Sequence, residues 1–320
     1  LSAFAGISCV TPPLAVHISD GVLSPAWLAS GFAVAALLTL LGFWRIRDEE
    51  IPRIALMTAA FFVASLLHVR VGPTSVHLLL NGLVGVVLGP RAALAIPVGL
   101  FLQAALLGHG GFGSLGVNSC IMVVPALLAW QLFGFLARLP WLRRPWFRST
   151  LVAAGTLAWV LSLVYSLALL FTNDPRHLSH LDTGPANDLT FHPLTMALAL
   201  AGAGFVGCAE RRLENAPEFP AGLLVGEIAV LATVLLNCLA LVWGGKDRWD
   251  ALAVVVLVAH LPVAVIEGVV LGFTVGFLAR VKPEMLGWES VGPPGEAVAA
   301  APSAYGQPAE ERPCRVDLRA

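Results

Sequence analysis

Eight histidines are the residues of this 320-residue chain best equipped for chemistry. Near neutral pH an imidazole is largely uncharged, nucleophilic and a common ligand for borderline transition metals. All eight fall toward one predicted membrane face of an otherwise apolar chain. A one-sided set of this kind points to capture of a metal ion outside the cell, followed by passage inward.

The histidines differ in setting. His17 stands just before the first apolar stretch, and His68 and His77 flank a second exterior loop. His109 lies in the next exterior loop, among glycines. His177, His180 and His192 share a long loop at 172–192 that is also rich in Asp and Asn, either a solvated loop or a low-affinity metal-gathering lip. His68, beside Arg70, reads as an interfacial histidine without a metal role. His260 falls in the outer half of the last apolar span, seven residues from Glu267, which puts both on one helical face over two turns. A carboxylate inside a membrane span is costly and usually has a partner or a function. Helix packing and lining of a route are both open for this pair.

The elements that position these residues are membrane helices. The chain is 58% hydrophobic and only 12% charged, with a mean hydropathy of +0.82, so most of its surface must be solvated by lipid. A bilayer core needs about 20 apolar residues per helix. Candidate spans are 26–44, 54–70, 77–89, 92–108, 117–137, 150–171, 193–208, 221–243 and 251–279. The region 77–108 reads as two half-length or tilted helices around Pro90. The expected fold is all-α, a polytopic bundle of about seven to nine spans.

Lys and Arg placement sets the orientation. With the amino end outside, fifteen basic residues fall inside, from Arg45, Arg47, Arg53 and Arg91 through the 138–148 loop to the carboxyl end. Arg70, Arg176, Lys246 and Arg248 remain outside. The expected topology is amino end out, carboxyl end cytoplasmic, in a cell (inner) membrane. Residues 287–320, rich in Pro, Gly, Ala and Glu, read as a disordered cytoplasmic tail.

Several classes are excluded or weakened. A net charge of −1 gives no case for nucleic acid. The five cysteines contain no CxxC pair and read as buried thiols. No Walker A sequence is present, so any ATP must be hydrolysed by partners. A membrane hydrolase would have to use Ser114 with His109, but GFGSLG lacks the nucleophile-elbow pattern. A stand-alone secondary metal permease needs charges along its pore; only Glu227 and Glu267 are prominent. That permease is the alternative reading.

Four motifs run in order: VHISDGVLSPAWLA at 16–29, GPTSVHLLLNGLVGVVLGP at 72–90, LLGHGGFGSLGVNSCIM at 106–122 and AHLPVAVIEGVVLGFTVGFLARVKPEML at 259–286. Together they closely resemble the CbiM/NikM family, the substrate-binding membrane components of energy-coupling-factor transporters for cobalt and nickel. The resemblance covers about 16–138 and 251–286. It implies a substrate, Co(II) or Ni(II), bound outside, and no catalytic cofactor. It also implies partners: a transmembrane coupling subunit, two cytoplasmic ATPases and a small accessory membrane subunit.

The chemistry behind the first motif is independent of that resemblance. A terminal amine, the next amide nitrogen and a second-position histidine form two fused chelate rings. A further imidazole completes four nitrogens in a plane, suited to Ni(II), Cu(II) or Co(II) and unsuited to Mg²⁺ or Ca²⁺. By resemblance, those donors here are Val16, His17 and His77. The resemblance also assigns His109 and Asn118 to a supporting role, orienting His17 or His77 and fixing the loop against the amino terminus.

One departure matters. Residues 1–15 precede Val16, so the chain as written has no free amine there. Val16 is expected to be the true start, read from a GTG codon; cleavage after Ala15 would restore the same amine. With the extension retained, the site must be rebuilt from side chains. The expected organisation is an extension at 1–15, a transmembrane domain at 16–286 with extra helices within 138–250, and the tail.

Overall fold

A computed structural model describes residues 14–15, 17–66, 68–71, 74–140, 218–247 and 249–287, with scattered positions between 142 and 160. The remaining residues of the extension, Val16, the expected spans 150–171 and 193–208, the histidine-bearing loop 172–192 and the tail from 288 lie outside the described residues.

In chain order the elements are β1 (Leu14–Ala15), α1 (Pro25–Phe43), α2 (Ile51–Ala64), β2 (His68–Val71), β3 (Thr74–His77), α3 (Asn81–Leu88), α4 (Ala92–Leu107), α5 (Leu115–Leu136), α6 (Phe219–Gly244) and α7 (Asp250–Val281). Short 3₁₀ turns lie at Asp48–Glu50, Gly89–Arg91 and Pro283–Leu286. Among the described residues, five helical segments are long and apolar enough to cross a bilayer: Pro25–Phe43, Asn81–Leu107, Leu115–Leu136, Phe219–Gly244 and Leu252–Val281. The helical-bundle architecture holds.

Two boundaries move, and a sheet appears that an all-α reading omits. The span expected at 54–70 is a helix from Ile51 to Ala64, after which the chain turns into β2. The span expected from 77 starts at Asn81, because His77 ends β3. The sheet runs β1-β3-β2. β1 pairs parallel with β3, Leu14 opposite Thr74 and Ala15 opposite Ser75. β2 pairs antiparallel with β3, with His68 opposite His77. The residues carry a hairpin signal, β-branched Val and Thr alternating with polar residues on both sides of a Gly-Pro pair.

Between α3 and α4 the continuous apolar run is bent at Gly89, whose φ of +56° suits glycine. The bend delivers Arg91 to the end of α1. Its guanidinium donates to the carbonyls of Gly42 at 2.8 Å, Trp44 at 2.8 Å and Arg45 at 2.9 Å. These sit where a helix end leaves carbonyls without intrahelical donors. Arg91 also pairs with Glu50 at 3.0 Å. This end of the bundle therefore holds Arg45, Arg47 and Arg91, opposite the end where His17 lies.

Small residues set the helix crossings. Gly222 and Gly226 of α6 meet Gly272 and Gly268 of α7, so two GxxxG stretches face each other with backbones close enough that a Cβ on either would collide. Gly85 of α3 meets Ala126 of α5 in the same way. On α1, Gly31 packs against Val117 and Gly116 of α5, and Ala35 is also buried. The Gly31–Ala35 stripe thus packs inside this chain. Ala29 and Ala33 stay exposed.

Around these crossings a shared core joins α2 to α7 through Phe61, Leu79, Ile96, Met122, Val230 and Val256. Within it, the Asn81 amide donates to Thr233 Oγ1 at 2.7 Å and to the Met122 carbonyl at 3.3 Å. A buried amide with partners on two neighbouring helices fixes the register of α3.

Candidate metal centre

Three separate segments meet at one end of the bundle, and each brings a histidine. The first is the run into α1. Its backbone is bridged to the far end of the chain: Ser24 N–H donates to the Gly244 carbonyl at 2.8 Å and Lys246 N–H to the Val22 carbonyl at 2.9 Å. Ile18 is locked by α5, with its N–H donating to Asn118 Oδ1 at 2.9 Å. Its carbonyl accepts from Asn118 Nδ2 at 3.0 Å and from Ser114 Oγ at 2.6 Å. These bonds hold the backbone beside His17, which is 2% exposed.

The second segment is the end of β3. The ring of His77 has Nδ1 at 2.9 Å from the Leu78 carbonyl, a bond that makes Nδ1 the protonated nitrogen and places the ring's lone pair on Nε2. Beyond it, the backbone N–H groups of Leu79 and Leu80 both donate to the Glu267 carboxylate of α7, the latter at 3.0 Å. A buried carboxylate at the start of α3 faces two amide donors before the helix ladder begins.

The third segment is the turn between α4 and α5. Gly108 closes α4 at φ +62°, His109 follows, and Gly110 takes φ +78°. A Cβ at Gly110 would sit 3.4 Å from His17 Cβ and 3.3 Å from Asn118 Nδ2. Gly111 lies so close to the Asp20 carboxylate that no side chain fits there. Asp20 Oδ1 accepts the Ser114 N–H at 2.8 Å, tying the first segment to the start of α5.

The result is a compact group. Ring centroids are 5.0 Å apart for His17 and His77, 5.0 Å for His17 and His109, and 5.4 Å for His77 and His109. One ring nitrogen from each lies within 4.8 Å of the others. Among the described residues this is the group of His, Cys, Asp or Glu able to hold a metal ion. Burial, and then the neighbouring imidazoles of His77, His109 and His260, hold the His17 pKa well below the usual imidazole range. The ring therefore stays neutral at physiological pH, the form that binds metals. Its buried Nε2 has no hydrogen-bond partner among the described residues.

The structure thus brings His17, His77 and His109 together and sets Asn118 on the backbone next to His17, while Val16 is outside the described residues. His68 stands across from His77 in the sheet register. His260 is fully buried, with Nδ1 2.7 Å from the Val256 carbonyl. Ser114 is committed to the Ile18 carbonyl, which leaves no support for a Ser114–His109 nucleophilic pair. Sequence reasoning missed Asp20 and Ser114 as positioning groups; both stand inside the quoted motifs, where a short polar side chain beside a glycine is the available signal. It flagged Glu267 without finding its partners, the amides following β3.

Comparison with known proteins adds a family. The family model described as the cobalt uptake substrate-specific transmembrane region matches residues 17–194 and 189–285. A putative metal transport protein of Haemophilus influenzae is 44% identical over 118 residues, 37% of this chain and 57% of that protein. The cobalt transport protein CbiM of Geobacter sulfurreducens is 29% identical over 247 residues, 74% of this chain and 64% of its own length. The fused nickel transport protein NikMN of Rhodobacter capsulatus is 36% identical over 115 residues, 34% and 33% of the two chains. The chain spans less than two thirds of each of these relatives. A solved transition metal transporter superposes with a TM-score of 0.49 at 20% identity, over 83% of this chain and 93% of that one.

Proposed function

This chain belongs to the family of cobalt-uptake substrate-specific transmembrane proteins, and from that premise we propose that it captures Co(II) or Ni(II) for import. The observation that carries the reading is the convergence of His17, His77 and His109, one ring nitrogen from each within 4.8 Å of the others. Imidazole selects ions late in the divalent transition series over Mg²⁺ and Ca²⁺, which demand oxygen.

His17 and His77 are proposed as donors to the ion, with a free amine at Val16 joining them where the chain begins there. Deprotonation of an amide on binding would lower the charge of the complex and ease its movement across an apolar layer. The ion is proposed to bind on the extracytoplasmic face of a cell membrane. The opposite end, with Arg45, Arg47 and Arg91, would face the cytoplasm by the positive-inside bias. The chain is read as a transporter subunit without enzymatic activity. Work against a gradient then requires a coupling membrane subunit and a pair of cytoplasmic ATPases, with a small accessory subunit typical of the metal group.

The rival reading, a permease working alone, loses its best intramembrane charge. Glu267 accepts two backbone N–H bonds in the present structure and is committed to holding the segment after His77. Reconstitution decides between the two. Vesicles holding the chain with its ATPase partners should accumulate ⁵⁷Co or ⁶³Ni only with ATP. Gradient-driven uptake by the chain alone would replace this reading with the permease.

A further inference from the structure

We propose that Glu227 of α6 is an intramembrane docking point for another subunit, whose transmembrane helix presents a basic side chain, Lys or Arg, to its carboxylate. This deepens the transporter-subunit reading above and rests on it, by naming where on this chain a membrane partner seats and through what chemistry.

Glu227 is the one charged residue of α6, which runs from Phe219 to Gly244. It stands about 12 Å along the helix axis from Phe219 and about 25 Å from Gly244, at 1.5 Å per residue. The Gly244 end is the end of the metal centre, where Ser24 donates to the Gly244 carbonyl. Glu227 is thus remote from that centre and well inside the apolar span. A carboxylate at such a depth is costly and is normally met by a donor or an opposite charge.

Glu267 shows how this chain meets that cost. It is 3% exposed and accepts the N–H groups of Leu79 and Leu80. Glu227 lies at the same level of the α6–α7 crossing, with its stem along Gly268: a Cβ on that glycine would come 2.8 Å from Glu227 Cγ. Yet its carboxylate has no hydrogen bond or ion pair among the described residues. The side chain is only half-buried, and Ile228, Leu231 and Leu235 beside it on the helix surface are exposed. An otherwise apolar, outward stripe therefore carries a single acidic group.

This chain offers no cation for it. Arg280, at the end of α7, lies about 18 Å beyond Gly268 along that helix, out of reach of the carboxylate. The expected spans 150–171 and 193–208 contain neither Lys nor Arg. Hydrocarbon tails supply no donor at all. A neutral donor would hydrogen-bond the carboxylate and leave its charge, whereas a basic side chain on a neighbouring helix answers both needs.

Dicyclohexylcarbodiimide, an apolar reagent for carboxyl groups, tests this in lipid vesicles. The full chain alone is compared with the chain assembled with its coupling subunit, ATPases and accessory subunit. Peptide mass spectrometry should find Glu227 labelled in the chain alone and protected in the complex, with Glu267 unlabelled in both. Glu227→Gln and Glu227→Leu should each weaken assembly by about thirtyfold or more, the scale of losing one member of a buried charge pair. Co(II) binding by the variant chain alone should be unchanged. Where a variant fails to fold, the labelling of the unmodified chain still decides. Equal labelling in the chain and in an intact complex would overturn the docking point, as would protection already present in the chain alone. A Glu227→Gln chain that assembles as tightly as the parent would overturn the basic partner. Failure of the unmodified chain to assemble at all would overturn the multi-subunit reading with it.

Discussion

The carboxylate of Glu267, deep in α7, accepts the backbone N–H of Leu80 at 3.0 Å and that of Leu79 beside it. A residue of the last helix thereby holds the three-residue passage from His77 to the first turn of α3, where Leu80 takes a positive φ of 48°. A bulky side chain rarely adopts that conformation unaided. Glu267→Ala leaves two buried amide donors without acceptors, a cost of about 2–5 kcal/mol. The expected outcome is a lower unfolding midpoint in detergent together with weaker Co(II) binding. Glu267→Gln, which keeps one acceptor, should fall between the two. Unchanged metal affinity in a folded Glu267→Ala protein would break the link between this carboxylate and His77.

Asn118 acts on the other side of the centre. Its amide both donates to and accepts from the backbone of Ile18, so Asn118→Ala frees the segment that carries His17. The expected result is a ten- to hundredfold loss of Co(II) affinity with the bundle intact, about the scale of losing a group that orients a ligand. Isothermal titration with CD as a folding control reads both quantities.

The pH response follows from the His17 ring. Its pKa is lowered by burial first and by the neighbouring imidazoles second. A group depressed in the folded state contributes stability that is complete above its unfolded value, near about 6.5 for imidazole, and is lost as pH falls toward the folded value. Proton competition with the metal begins late for the same reason. The imidazole share of Co(II) affinity should therefore stay level from pH 8 through the ordinary imidazole range and fall only below it, so that any rise with pH above that range reports the amide proton released on binding. A midpoint at the free-imidazole value would mean a solvated ring.

At the opposite end, Arg91 serves α1 more than it serves Glu50. Three carbonyls depend on its guanidinium, whereas the Glu50 pair is near the surface and worth about 0–1 kcal/mol. Thermal melts should show Arg91→Ala destabilised by about 2 kcal/mol or more and Glu50→Gln by much less. The hydrogen bond from Arg91, foremost, lowers the Glu50 pKa. Its small contribution is present above the usual glutamate range and lost in acid below it. Neither change should alter metal affinity.

Much of this was legible in the residues. Apolar runs broken by Gly, Pro and Arg locate α1, α5, α6 and α7, because lipid demands length and low charge and little else. The pairing of Gly108 and Gly110 around His109 signals a turn with left-handed backbone. The sheet was missed although its residues carry a hairpin signal, since most of β2 falls within the apolar run expected to be a helix at 54–70 and two four-residue strands are a weaker pattern than a long span. The proximity of His109 to His17, 92 positions earlier, was also beyond local reading. It depends on how α1 crosses α5 at Gly31 and Gly116, a tertiary choice that periodicity does not encode.

The most direct test of metal capture is the Co(II) or Ni(II) content of the purified full chain beside His77→Ala, measured by mass spectrometry after equal loading and washing. One equivalent in the parent protein and loss of tight binding in a folded His77→Ala protein is the expected result. A stoichiometric ion retained without the His77 ring would contradict the assignment of this centre.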